Sequence, residues 1–108
     1  MKYLVAMAAA AALWSSSASA DAMDDTLKAR ELGQIVGSAE LCNYPLDADK
    51  ASGYVSEALA AMEPSSRSAY QAGLGAQKIR LQKMTEVERK VSCSTQAKLA
   101  AKYGILAK

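Results

Sequence analysis

The sequence predicts a small all-α protein: a four-helix bundle with one disulfide, preceded by a cleavable signal peptide. Three observations point there. The first twenty residues are built like a secretory signal. The remainder is rich in Ala, Leu, Lys, Glu and Gln and lacks β-branched alternation, which is a helical composition. The chain has two cysteines, Cys42 and Cys93, both beyond the signal.

The N-terminus opens with Lys2, continues as an apolar run from Leu4 to Leu13, and ends in the small-residue stretch Ser15 to Ala20. A positive charge, a short apolar core and an A-x-A end are the parts of a signal peptide, so cleavage is expected between Ala20 and Asp21. The run is well short of the roughly 20 apolar residues needed to cross a hydrocarbon core, so it is not read as an anchor. Residue 21 is Asp rather than Cys, so no lipid-modified start is indicated. The mature part, residues 21–108, is then one domain of 88 residues, expected in the periplasm or outside the cell and not spanning a membrane.

A first helix is expected from about Asp25 as N-cap, with Leu32, Ile35, Val36, Ala39 and Cys42 at helical spacing. Pro45 breaks it, because proline disfavours helical geometry in the preceding residue. Asp47 can cap a second helix, whose stripe Ala51, Tyr54, Val55, Ala58, Leu59 and Met62 ends at Glu63-Pro64. A third is expected to be capped by Ser65 or Ser66, with Tyr70, Leu74, Leu81 and Met84 on one side. Gly73 and Gly75 weaken it by about 1 kcal/mol each unless packing requires a small residue. Thr85 and Glu88 fit a capping box, which opens a final segment or is run through by helix three. That segment carries Val87, Val91, Cys93, Ala97 and Ala100 or Ala101 at apolar positions, with Cys93 facing inward and a restart considered at Ser94 or Thr95. Gly104 is its C-cap.

A domain of this size buries proportionately little surface and gains much from a staple. Export places Cys42 and Cys93 where disulfides persist. Their bridge closes a loop worth about 4 kcal/mol in the chain-entropy picture. A redox pair would more often be written C-x-x-C.

The mature part has no His, Trp or Phe and only four tyrosines, Tyr44, Tyr54, Tyr70 and Tyr103. Without His it lacks the commonest neutral-pH base and the commonest transition-metal ligand. Asp47 and Asp49 do not continue into a calcium loop, since Ala51, Ser52 and Ala58 stand where further ligands, the glycine and the final Glu belong. No S-x-x-K, C-x-x-C-H, G-x-G-x-x-G or P-loop is present. No catalytic residue, metal site or cofactor is expected, and the chain is not read as an enzyme.

Charge is uneven. Residues 21–63 hold nine acids and three bases; residues 64–108 hold two acids and nine bases. On one reading, acidic and basic helices lie against one another and pair at the surface. On the other, Lys78, Arg80, Lys83, Arg89 and Lys90 form a basic surface for an anionic envelope component or an envelope protein, Arg80, Lys83 and Lys90 sharing one side if the helix is continuous. Nucleic acid is a poor partner for an exported protein.

In arrangement, the chain resembles the small acid-stress chaperones of the bacterial periplasm: a signal peptide, a mature helical domain under a hundred residues and one long-loop disulfide. The resemblance covers architecture only; no motif of that family is matched. It implies a non-catalytic interaction or stress protein, chaperone-like, holding its partner by an apolar groove or a basic face. In acid its eleven carboxylates would be neutralised and its twelve bases left unopposed, loosening the bundle. The alternative expectation is a small-ligand or lipid-binding module with an apolar cavity between helices two, three and four. For protein recovered after export, intact mass should begin at Asp21 and fall two hydrogens short of the reduced chain, with no titratable thiol; retention of residues 1–20 or two reactive thiols would contradict this.

Overall fold

A computed structural model describes residues 2–107 along the backbone and residues 22–107 in side-chain detail. It is all-helical: α1 (Lys2–Cys42), α2 (Ala48–Ala60), α3 (Pro64–Lys83) and α4 (Glu86–Lys102). The expected signal peptide and its junction at Ala20 and Asp21 lie outside the residues whose side chains are described. The expected helix start at Asp25 is not an end at all, because α1 runs through it. Instead of capping α1, the Asp25 carboxylate accepts a hydrogen bond from the Glu63 N–H at 3.3 Å, tying the α2–α3 turn to α1.

Local chemistry explains the other helix ends. Asn43, with φ of 58°, takes the left-handed conformation after α1. The Tyr44 N–H then returns to the Ala39 carbonyl at 3.2 Å, the outer bond of a Schellman turn. Asp47 caps α2 by accepting from the Lys50 N–H at 2.9 Å. The Arg67 guanidinium meets the carbonyls of Ala60 and Met62 at the far end of α2. α3 begins one residue earlier than its expected serine caps, because Pro64 occupies the first turn, where its missing N–H costs nothing. Ser66 is buried against α1 instead, its Oγ 3.2 Å from the Ala22 carbonyl.

The capping box at Thr85 is complete in both directions, at 2.9 and 3.2 Å, so α3 and α4 are separate helices. Hydrogen bonding to the Thr85 backbone N–H, and then to its hydroxyl, holds the Glu88 carboxyl below its usual value. α4 then runs unbroken through Ser94 and Thr95. It ends in a full Schellman turn: Gly104 has φ of 70°, its N–H reaches the Ala101 carbonyl, and the Ile105 N–H reaches that of Ala100.

The helices alternate in direction, and α1 packs on each of the others. α1 and α3 run parallel, Ala22 meeting Ser66 at one end and Gly37 meeting Leu74 toward the other. α4 runs back, with Cys93 bonded to Cys42 and Tyr103 reaching Glu31. The expected disulfide thus joins the end of α1 to the middle of α4, with Cα atoms 5.3 Å apart. A two-residue antiparallel bridge, Leu46 with Leu106, closes that end of the bundle; the Asp47 N–H donates to the Ile105 carbonyl at 2.8 Å and the Ala107 N–H to Pro45 at 3.0 Å.

The core has two parts. Ile35, Ala51, Ala100 and Ile105 form one, flanked by Leu46, Tyr54, Leu99, Tyr103 and Leu106. Ala29, Met62 and Ala69, with Leu59 and Tyr70, form the other. The side chains are small, and four buried residues are polar: Ser38, Ser66, Gln77 and Gln96. Val87 and Val91 are not inward as their spacing suggests; they are 72% and 62% exposed. The inner face of α4 consists instead of Cys93, Gln96 and Ala100, residues of modest volume that let it lie close to α1.

The contact between α1 and α3 is made by backbone. A Cβ placed on Gly37 would lie 2.6 Å from the Leu74 carbonyl oxygen, one on Gly73 would lie 2.6 Å from that of Arg30, and one on Gly33 would overlap that of Tyr70. Gly73 is therefore the small residue that packing demands, whereas Gly75 has open space around it. Gly37→Ala and Gly73→Ala should each lower stability by about 1–3 kcal/mol through overpacking, whereas Gly75→Ala should raise it by up to about 1 kcal/mol through helix propensity. Urea midpoints of the three variants measure this; equal effects would refute a backbone-to-backbone contact.

Candidate functional site

An open cleft lies between α2 and α3 beside α1. It has a volume of about 380 Å³ and is lined by Val36 of α1, Ala51, Ser52, Val55, Ser56 and Leu59 of α2, and Tyr70 and Gln71 of α3. The lining has no charge. Its floor is the apolar stripe of α2 with Val36, and its rim carries hydroxyl and amide groups. The stripe was legible in the sequence. The site was not, since Ser52 and Ser56 beside it read as ordinary solvent positions; their i, i+4 spacing along the stripe is the signal that marks the rim. α4 contributes nothing to this lining, which brings together α1, α2 and α3 rather than the helices two, three and four of the expected cavity.

A second constellation joins α1, α2 and α4. Tyr54 and Tyr103 lie with ring centroids 5.2 Å apart. The Lys28 ammonium sits 4.3 Å above the Tyr103 ring centroid and 5.8 Å from that of Tyr54. The Tyr103 hydroxyl donates to Glu31 Oε1 at 2.7 Å, and Lys28 Nζ donates to the Tyr54 hydroxyl at 3.4 Å. Burial pushes Tyr103 up, and the Glu31 bond adds to it. Burial alone would lower Lys28, but its bonds with the two tyrosines outweigh this and raise it. A lysine held more firmly charged is a poor base and a poor nucleophile. The arrangement is a clasp between three helices.

The five basic residues singled out from the sequence are all exposed. Lys78, Arg80 and Lys83 belong to α3, Arg89 and Lys90 to α4. The break at Thr85 separates Lys90 from Arg80 and Lys83, so the three do not share one continuous helix face as expected. Arg89 is tied inward, its Nε donating to the Leu81 carbonyl at 3.1 Å. Lys90 pairs with Glu86 at 3.5 Å, the single ion pair among the described residues and one internal to α4. The surface pairing between acidic and basic helices is thus not found among them.

Among the described residues no group of three or more His, Cys, Asp or Glu can hold a metal ion. Nor is any of their helices long and apolar enough to cross a membrane. Compared with known protein families, curated proteins and solved structures, the chain matches none.

Tyr44, outside the cleft lining, folds back on α1, its hydroxyl donating to the Ile35 carbonyl. Burial pushes its ionisation up to about 12. An unfolded tyrosine ionises near pH 10, so between about pH 10 and 12 the unfolded chain holds fewer protons and the fold loses stability as pH rises. The urea midpoint should fall through that window, and Tyr44→Phe should flatten the fall; an unchanged pH profile in the variant would refute the assignment.

Proposed function

We propose that this chain is an exported, non-catalytic interaction protein that holds an apolar stretch of another polypeptide in the cleft between α2 and α3, in the manner of a small chaperone. The observation that carries this is the cleft itself: open, uncharged, apolar along its floor and edged with hydrogen-bonding groups. Val36, Leu59 and Tyr70 supply area for side chains of the occupant. Ser52, Ser56 and Gln71 supply donors and acceptors for an extended or helical backbone, which needs such partners when it leaves water.

A small ligand is served less well, because pockets for such molecules enclose most of the ligand's surface. The absence of a strained or activated nucleophile near the cleft favours binding over chemistry. The disulfide and the signal-like N-terminus support export, where a small protein meets unfolded clients without ATP-driven chaperones to hand.

The test replaces the rim without touching the core. Ser52→Arg with Ser56→Arg sets two charges where an apolar segment would lie, at exposed positions that leave Ala51 and Val55 in place. The exported protein should suppress light scattering by a heat-aggregating client enzyme, at neutral pH and more strongly in acid. The variant, shown folded by circular dichroism, should need about tenfold more protein for equal suppression, the effect of about 1.4 kcal/mol. Equal suppression by both proteins, or none by the wild type at either pH, would remove this reading.

A further inference from the structure

We propose that the outer face of α4 docks on an anionic bilayer surface. α4 turns Cys93, Gln96 and Ala100 toward the bundle. On an ideal helix the side opposite Gln96 is formed by Val87, Val91, Ser94 and Lys98, with Lys90 and Lys102 to either side. All six are exposed, and the two valines are 72% and 62% accessible, the most exposed large aliphatic side chains of the helix. Lys98 and Lys102 form no ion pair among the described residues, and Lys90 has only Glu86 one turn away. The second acid of α4, Glu88, is turned to the Thr85 cap.

Charge and shape together choose the occupant. From Val87 to Lys102 the ridge runs about 22 Å at 1.5 Å per residue. It is convex, so it cannot enfold a peptide, but it can lie along a plane. Two valines offer too little apolar area to hold a neutral bilayer. Flanked by Lys90, with Lys98 and Lys102 about two and three turns further along the same ridge, they can enter between headgroups while the lysines stay at the phosphate level. Lys78 and Lys83 on α3 leave the adjoining helix cationic as well. The cleft of the proposed function takes no part, since α4 lines none of it.

The experiment is co-sedimentation of the exported protein with vesicles of phosphatidylcholine alone or mixed with phosphatidylglycerol, at low and high salt. Two variants accompany it: Lys90→Gln with Lys98→Gln and Lys102→Gln, and Val87→Ser with Val91→Ser. Each lysine contributes roughly fivefold to partitioning at an anionic surface, so the triple variant should bind on the order of a hundredfold more weakly. Binding should require the anionic lipid, fall with salt, and weaken in the valine variant too. All three proteins share one N-terminus, so binding through it would be equal among them. Equal binding by variants and wild type, or binding to both vesicle types alike, overturns the proposal. So does failure to bind vesicles while soluble polyglutamate is still captured, which would assign the face to an acidic polypeptide. Because the cleft is untouched, loss of vesicle binding with client suppression intact separates this proposal from the function proposed above.

Discussion

Everything else in the structure rests on the backbone-to-backbone contact of α1 with α3. Gly33 and Gly37 on one helix, and Gly73 on the other, remove the side chains that would hold the axes apart. Close approach gains dispersion between backbones and brings Cα–H groups toward facing carbonyls. Each glycine costs helix propensity, about 1 kcal/mol. α2 and α4 are then added to a pair already in register, α2 by the Asp25 and Arg67 bonds at its end, α4 by the disulfide and the Glu31–Tyr103 bond.

That foundation also shapes the site. With α1 and α3 drawn together, α2 is the helix left standing off, anchored by Ala51, Val55 and Met62 and open along its flank. The cleft is thus a by-product of unequal packing distances. α4 is fixed covalently and by the tail bridge, so its inner face can be polar and small while its outer face is unconstrained by packing.

The parts of the fold that were legible in the sequence were those decided within a few residues: the Asp47 cap, the Thr85–Glu88 box, the Gly104 stop and the α2 stripe. The Cys42–Cys93 bridge followed from there being one cysteine pair beyond a stretch read as a signal peptide. What could not be read is what depends on a partner helix. Gly33 and Gly37 stand four residues apart, about one helical turn, and only α3 gives that spacing meaning. Val87 and Val91 misled because apolar periodicity marks an inner face only when the core wants volume there; here it wants Gln96 and Ala100. The cleft was half legible, its floor present as a stripe and its rim hidden among serines.

The bridge between Cys42 and Cys93 has a topological consequence. It makes a closed covalent ring that contains all of α2 and α3, including the turn at Ala61 to Glu63. A single protease cut anywhere within that ring severs the backbone but releases no fragment. The two pieces stay tethered, a cut before α3 leaves the paired glycine helices on different pieces, and reassociation is an intramolecular event at high effective concentration. Where proteases act and the disulfide persists, such a molecule can be nicked and still be one molecule.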